Sequence, residues 1–206
     1  MQAKAMLKIS LLASFMLAFS FSSSAQNLLA EEGQKEMVYV FSYLSPGSHA
    51  MVHSANAWEF MTKSKGVHKG AKVYRVPYIE SEGHPTRVAA KAYFILRQLV
   101  KNRAVDHFRV EPKLYSLFKS EVVTEERVKA FFVDEVDGLS SAEVDRLSVA
   151  SEIYVKHSLS MQPSINCNSL PCALVNAGKG SVEVNLDLNA NDPLTEFWEN
   201  VSIILL

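Results

Sequence analysis

Short strand-like segments near both ends of the chain flank a long helical stretch, and this order constrains the fold more than any other feature. Residues 37–44 and 71–79 are rich in β-branched and aromatic residues, which is typical of strands. From about residue 85 to about residue 160 the apolar residues recur at helical spacing. Strand-like segments return at residues 172–176 and 181–186. This alternation predicts an α/β domain interrupted by a helical insertion.

The first helix has a clear start signal. Ser45 can cap the free amides, and Pro46 suits the first helical position, so a helix should run from there to about Thr62. The residues expected on its packed side are Ala50, Ala57, Trp58 and Met61.

Further helices are predicted beyond the second strand. The apolar spacing indicates one helix at 86–100 and shorter helical pieces at 113–119 and 124–133. Residues 140–143 (Ser-Ser-Ala-Glu) have the pattern of a capping box and should open a long helix. Asp192-Pro193 should open the last helix.

The start of the chain has the layout of a secretory signal peptide. Lys4 and Lys8 precede an apolar run from Ile9 to Phe21, and Ala25 ends a small-residue cleavage motif. The alternative is an amphipathic start that is not cleaved. The interpretation as a signal at residues 1–25 leaves one domain at 26–206, exported and without a membrane span.

Charge excludes one class of partner. The whole chain has a net charge of −1, and removal of Lys4 and Lys8 with the signal leaves −1 − 2 = −3. Because there is no basic excess to attract phosphates, we expect no nucleic acid partner.

The chain has two cysteines, Cys167 and Cys172. In an oxidising compartment they should form a disulfide, which would stabilise the fold by about 2 kcal/mol in the chain-entropy model. A zinc site would need further ligands that the spacing does not supply, so we expect no metal and no cofactor.

Two short motifs resemble the DsbA-type thioredoxin-fold family. Phe41-Ser42-Tyr43-Leu44 runs into Ser45-Pro46-Gly47-Ser48, where the family has a similar strand running into Cys-Pro-His-Cys at the start of a helix. Residues 170–176 (Leu-Pro-Cys-Ala-Leu-Val-Asn) look like the family's cis-proline loop and the strand after it. The resemblance covers the chain after the signal. It implies a thioredoxin fold with a helical insertion and a periplasmic location.

The chain departs from the family at the residues that carry the chemistry. Ser45 and Ser48 stand at the positions of the two redox cysteines, and a hydroxyl can form neither the reactive thiolate nor the mixed disulfide. Tyr39 stands where the family usually has a buried acid, whereas its nearby basic residue matches Arg75. Disulfide exchange is therefore not expected at the usual site, and no catalytic residue is predicted there.

Other chemistry at the first helix is a weaker alternative. Ser45 could act as a nucleophile with His49, but no acid partner is visible, and a helix cap needs none. His49 and His53 have the i, i+4 spacing of a metal pair, but no glutamate stands between them in the zincin pattern.

The resemblance implies a groove that holds extended polypeptide by strand addition. A redox-inactive binding, chaperone or assembly protein is the first hypothesis, with exported polypeptide or an envelope complex as partner. The second is a thiol:disulfide oxidoreductase that uses Cys167 and Cys172, which otherwise brace the loop. A glutathione-transferase-like enzyme fits less well, because those proteins place their helices after the core. The residues expected to form the groove are Ser45, Pro46, Gly47, Ser48, Leu170 and Pro171.

Overall fold

The computed structural model describes residues 35–65, 71–120, 122–165, 167–176 and 181–205, with side chains omitted at 60–65 and at 164. The predicted signal peptide at 1–25 lies outside the described residues.

Four strands form one mixed sheet in the order β2-β1-β3-β4. β1 pairs with β2 in parallel and with β3 in antiparallel, and β3 pairs with β4 in antiparallel. The strands are β1 Glu36–Phe41, β2 Lys72–Pro77, β3 Cys172–Asn176 and β4 Ser181–Asn185.

The structure describes six α-helices, four of them between β2 and β3. A 3₁₀ turn at Gln162–Ser164 ends the insertion. The helices are α1 Pro46–Lys65, α2 Pro85–Arg103, α3 His107–Ser120, α4 Glu125–Glu135, α5 Ser141–Met161 and α6 Pro193–Leu205.

β1 is buried on both faces, which explains why its sequence is an unbroken apolar run after Glu36. Met37, Tyr39 and Phe41 face the larger core cluster, which continues into α2, α3 and α6. Val38 and Val40 face a smaller cluster on the other side of the sheet. The sheet and the inserted helices therefore share one continuous core.

The first strand ends earlier than the sequence predicts. It stops at Phe41, and the next residues form a turn in which the Ser45 N–H donates to the Ser42 carbonyl at 3.0 Å. The Ser42 N–H leaves the sheet and donates to the Ser48 Oγ at 3.1 Å. The Ser48 side chain thus accepts a main-chain N–H that would pair with a neighbouring strand if β1 were longer.

The predicted packed side of α1 is wrong in part. Ala50 and Ala57 are exposed, and Trp58 is half-buried, while the Met61 side chain lies outside the described part of the chain. The inner side instead carries three buried apolar residues and two buried polar ones. The apolar residues are Met51, Val52 and Ala55, and the polar residues are Asn56 and Glu59.

α3 begins six residues before its predicted start. Asp106 starts it, because its carboxylate accepts the Phe108 N–H at 2.9 Å and its carbonyl accepts the Val110 N–H at 3.1 Å. The helix continues through Pro112, which lies inside it. Among the described residues, no helix is long and apolar enough to cross a membrane.

Candidate functional site

The start of α1 lies against the loop before β3. The Ser45 hydroxyl donates to the Leu170 carbonyl at 2.8 Å, and its oxygen is 3.4 Å from the Ser48 N–H, which it accepts as a helix cap. Ser48 is fully buried, and its oxygen accepts the Ser42 N–H. Both serine hydroxyls that the resemblance matches to redox cysteines are therefore held in hydrogen bonds that fix the helix start and the loop.

Gly47 allows this close approach. A Cβ atom at this position would lie 2.9 Å from the Leu170 carbonyl oxygen and 3.0 Å from the Pro171 Cδ. Any side chain larger than hydrogen would push the loop away from the helix. Glycine in place of the histidine of the resemblance pattern thus matches the tight contact between helix and loop.

The loop that faces α1 is held from several sides. The Leu170–Pro171 peptide bond is cis, as the resemblance implies. The Asn168 N–H donates to the Glu183 carboxylate at 2.8 Å, and the Ser169 hydroxyl donates to the Asn185 side-chain oxygen at 3.3 Å. These bonds fix the loop to β4.

Cys167 and Cys172 form a disulfide across this loop, as predicted, with their Cα atoms 6.1 Å apart. Cys172 is fully buried in the smaller core cluster, and Cys167 is half-buried beside it. Burial in apolar surroundings disfavours a thiolate, and Cys172 lies at the start of a strand instead of a helix. This environment suits a disulfide that braces the loop.

A buried ionic cluster lies behind the site, and sequence analysis found only one of its members. The Arg75 guanidinium makes two bonds to the Glu111 carboxylate, at 2.8 and 3.1 Å, and donates to the Asn56 side-chain oxygen at 2.6 Å. Glu59 lies 3.5 Å from Arg75 and 3.2 Å from Arg97. The side chains of Arg75 and Glu111 are 3% and 1% exposed, so each charge depends on the other.

Aromatic rings enclose this cluster. The Arg75 guanidinium lies 4.9 Å from the centre of the Phe41 ring and 5.8 Å from that of Tyr39. Glu111 also accepts the Tyr43 hydroxyl, at 3.3 Å. The link from Tyr43 through Glu111 to Arg75 connects the cluster to the turn that precedes α1.

Tyr39 cannot replace the buried acid that the resemblance places at its position. Burial raises the pKa of its phenol far above the usual range, although the nearby Arg75 charge lowers it in part. The group therefore stays neutral and neither binds nor releases a proton at physiological pH. Tyr39 therefore cannot transfer protons as a buried carboxylic acid can.

The structure gives little support to the two alternatives at the first helix, a Ser45 nucleophile with His49 and a metal pair of His49 and His53. The His49 ring stacks on Tyr115 at 5.8 Å, and its main-chain N–H donates to the Ser45 carbonyl. His53 is exposed on the outer side of α1. Within the described ranges, no group of three or more His, Cys, Asp and Glu side chains is placed to hold a metal ion.

The sheet order, the cis-proline loop facing a helix start, and the helices between β2 and β3 define a thioredoxin-fold protein with a helical insertion. No family model and no curated protein matches the sequence. Solved structures do match, and they show that the chain has the DsbA fold, which confirms the predicted fold class.

Three of these structures, all from bacteria, show the extent of the match. DsbA of Pseudomonas aeruginosa is 17% identical, with a TM-score of 0.61, over 86% of this chain and 84% of its own. The oxidoreductase DsbA of Xylella fastidiosa is 15% identical, with a TM-score of 0.58, over 84% and 85%. BdbD of Bacillus subtilis is 16% identical, with a TM-score of 0.52, over 89% and 95%.

Proposed function

We propose that this is an exported, periplasmic protein that binds extended polypeptide at the cis-proline loop without exchanging disulfides. The observation that carries the proposal is the hydrogen bonding of the two serines: the Ser45 hydroxyl caps α1 and donates to the Leu170 carbonyl, and the Ser48 hydroxyl accepts the Ser42 N–H. A site with this role needs no sulfur. The fold around the site is nevertheless that of the DsbA oxidoreductases.

The main chain of Leu170 supports binding by strand addition. Its N–H has no hydrogen-bond partner among the residues that the structure describes, and the residue is half-buried. Its carbonyl accepts only one hydrogen bond there, from Ser45, and a carbonyl oxygen can accept two. A client strand could therefore pair with both groups of Leu170 in the manner of strand addition.

The proposal of export rests on the beginning of the sequence. Lys4, Lys8, the apolar run and Ala25 have the order of a secretory signal. A disulfide between Cys167 and Cys172 is consistent with an oxidising compartment.

Restoring the two cysteines tests whether the frame is that of a redox site. We expect the Ser45→Cys, Ser48→Cys double variant to oxidise a reduced test protein, because its first thiol would lie at a helix N-terminus. The unaltered protein should not do so. The measurement is the regain of activity of reduced, denatured ribonuclease. Oxidation by the unaltered protein at the rate of the double variant would contradict the proposal.

Binding is tested with a client that cannot form disulfides. Reduced and alkylated α-lactalbumin should bind the unaltered protein and should bind Leu170→Arg at least tenfold more weakly, because the new charge lies in the groove. Val149→Arg is the matched control, since Val149 is 74% exposed on α5 in the insertion. Equal binding by all three proteins would place the client elsewhere.

The disulfide beside Pro171 favours a second candidate function, thiol:disulfide exchange by Cys167 and Cys172. Against it stands the complete burial of Cys172. Titration in glutathione buffers separates the two functions. A bracing disulfide should stay oxidised at cytosolic glutathione ratios, whereas a reduction potential close to that of an oxidase would support exchange.

A further inference from the structure

Among the four strands that the structure describes, β2 lies at the edge of the sheet, and its pairing with β1 shows where its outer groups point. The N–H groups of Lys72 and Tyr78 donate to carbonyls of the β1 side at 2.9 and 2.7 Å. Because strand residues alternate with a period of two, the N–H and C=O of Val73 and Arg75 point away from β1. These four groups form the outer edge of the sheet.

Most of this edge is without a partner in the described part of the chain. Neither the Val73 N–H nor the Arg75 N–H donates a hydrogen bond there, and the Arg75 carbonyl accepts only a long bond of 3.5 Å from the Tyr93 hydroxyl. Pro77, the last residue of the strand, has no N–H to offer. An open edge is a template for pairing with another chain.

A cavity of about 490 Å³ lies beside this edge, between β2 and helices α2 and α5. This volume is in the range of pockets that bind ligands. The edge lies in a recess between these helices. The recess protects it from uncontrolled pairing with other chains but leaves space for a short polypeptide segment. The walls are mainly apolar and aromatic, and they include Val73, Tyr74, Phe94, Tyr154 and Met161.

The charges at the cavity favour an acidic ligand. Arg75, Arg97 and Lys101 line it together with the carboxylate of Glu59, and the buried Glu111 pairs with Arg75, so three cations meet two carboxylates here. Glu59 lies between the two arginines, at 3.5 and 3.2 Å. Arg97 remains partly exposed, at 35% of its side chain, so it can meet an incoming carboxylate.

We propose that the recessed edge of β2 binds a short extended polypeptide segment with alternating apolar residues and acidic flanks. Its main chain pairs with Val73 and Arg75, its apolar side chains enter the cavity, and an acidic side chain lies near Arg97. Two N–H groups that point outward two residues apart match the repeat of a strand, which a small apolar molecule would not use. None of residues 167–171 of the cis-proline loop lines this cavity, and the proposal does not depend on the function proposed for the loop.

The test uses the chain from Gln26 and the probe acetyl-Glu-Leu-Thr-Leu-Thr-Leu-Glu-amide. Saturation with the probe should slow hydrogen exchange of the Val73 and Arg75 amides in spectra of the unaltered protein. Val73→Pro removes one outward N–H without touching the pairing with β1, and it should weaken binding about fivefold relative to Val73→Ala. Val73→Ala is the matched control, since both variants lose the same side chain.

Two further comparisons test whether the acidic residues of the probe matter and where on the protein it binds. Exchange of both glutamates of the probe for lysine should weaken binding, and Leu170→Arg should leave it unchanged. No change in the Val73 and Arg75 amides at saturation would overturn the proposal, as would equal affinity of Val73→Pro and Val73→Ala. Binding of decanoate in place of the probe would identify a small-molecule site and overturn it as well. Loss of binding in Leu170→Arg would assign the probe to the loop.

Discussion

At the scale of single residues, the contact between α1 and the cis-proline loop depends on the missing side chain of Gly47. We predict that Gly47→Ala lowers the free energy of unfolding by about 1–3 kcal/mol, because the new Cβ would overlap the Leu170 carbonyl oxygen and the Pro171 ring. The shift is measured by urea denaturation. The variant should also lose client binding at the loop if the loop is displaced.

Gly83 supplies the control for this substitution. A Cβ at Gly83 would have no atom within 4 Å, and the residue lies in the turn before α2. Gly83→Ala should change the stability by less than about 0.5 kcal/mol. Equal effects at the two positions would show that the close approach at Gly47 does not hold the loop.

Single residues also show what the sequence could not reveal about the site. Ser45, Gly47 and Pro171 could be placed from two short motifs, because turn and cap residues act locally. Glu111 could not be placed, since nothing within α3 marks it as the partner of Arg75, 36 positions earlier. A buried ion pair between distant residues is visible only when the fold brings them together.

At the scale of elements, signals within a few consecutive residues predicted helix starts, but they did not predict which side of a helix is buried. The capping box was predicted from four residues and is confirmed, with the Glu143 N–H 3.3 Å from the Ser140 hydroxyl and the Ser140 N–H 3.0 Å from the Glu143 carboxylate. The packed side of α1 was predicted wrongly, because it buries Asn56 and Glu59 beside Arg75. A polar residue on the inner side looks like a surface residue until its partner is known.

Helices α2 and α5 are joined by an ionic cluster whose contribution should depend on pH. Glu152 bonds Arg87 at 2.5 Å and also pairs with Lys91. Burial raises the pKa of Glu152, but the Lys91 hydrogen bond and the positive charges of Lys91, Arg87 and Lys156 outweigh it, so the pKa lies below its ordinary value of 4.5. A carboxyl with a lowered pKa stabilises the fold above its unfolded pKa and loses this effect as the pH falls through the folded pKa.

We therefore predict that the urea midpoint of the unaltered protein falls as the pH is lowered from about 5 through the folded pKa of Glu152. Glu152→Gln should lower the midpoint at pH 7 and flatten this part of the profile, because it removes the charge that is lost on acidification. Glu199→Gln, at an exposed position of α6, should leave the profile as it is. A profile of Glu152→Gln parallel to that of the unaltered protein would contradict the assignment.

At the scale of the whole molecule, the helical insertion and the sheet should unfold together. The larger core cluster runs without a break from β1 into the insertion. Phe41 of β1 lies 5.0 Å from Tyr93 of α2 and 6.5 Å from Tyr115 of α3, measured between ring centres. Separating the insertion would expose this aromatic face, so a state with only one part folded should be unfavourable.

The two tryptophans allow unfolding of the sheet region to be followed separately from unfolding of the insertion. Trp58 and Trp198 stack with ring centres 5.1 Å apart, next to Tyr39, and both belong to helices outside the insertion. Their fluorescence reports on the sheet region, whereas circular dichroism at 222 nm is dominated by helices, most of which lie in the insertion. We predict coincident urea transitions by the two probes, as expected for a single cooperative unit. An earlier loss of the dichroism signal would show that the insertion unfolds first and that the aromatic contacts at Phe41 do not couple it to the sheet.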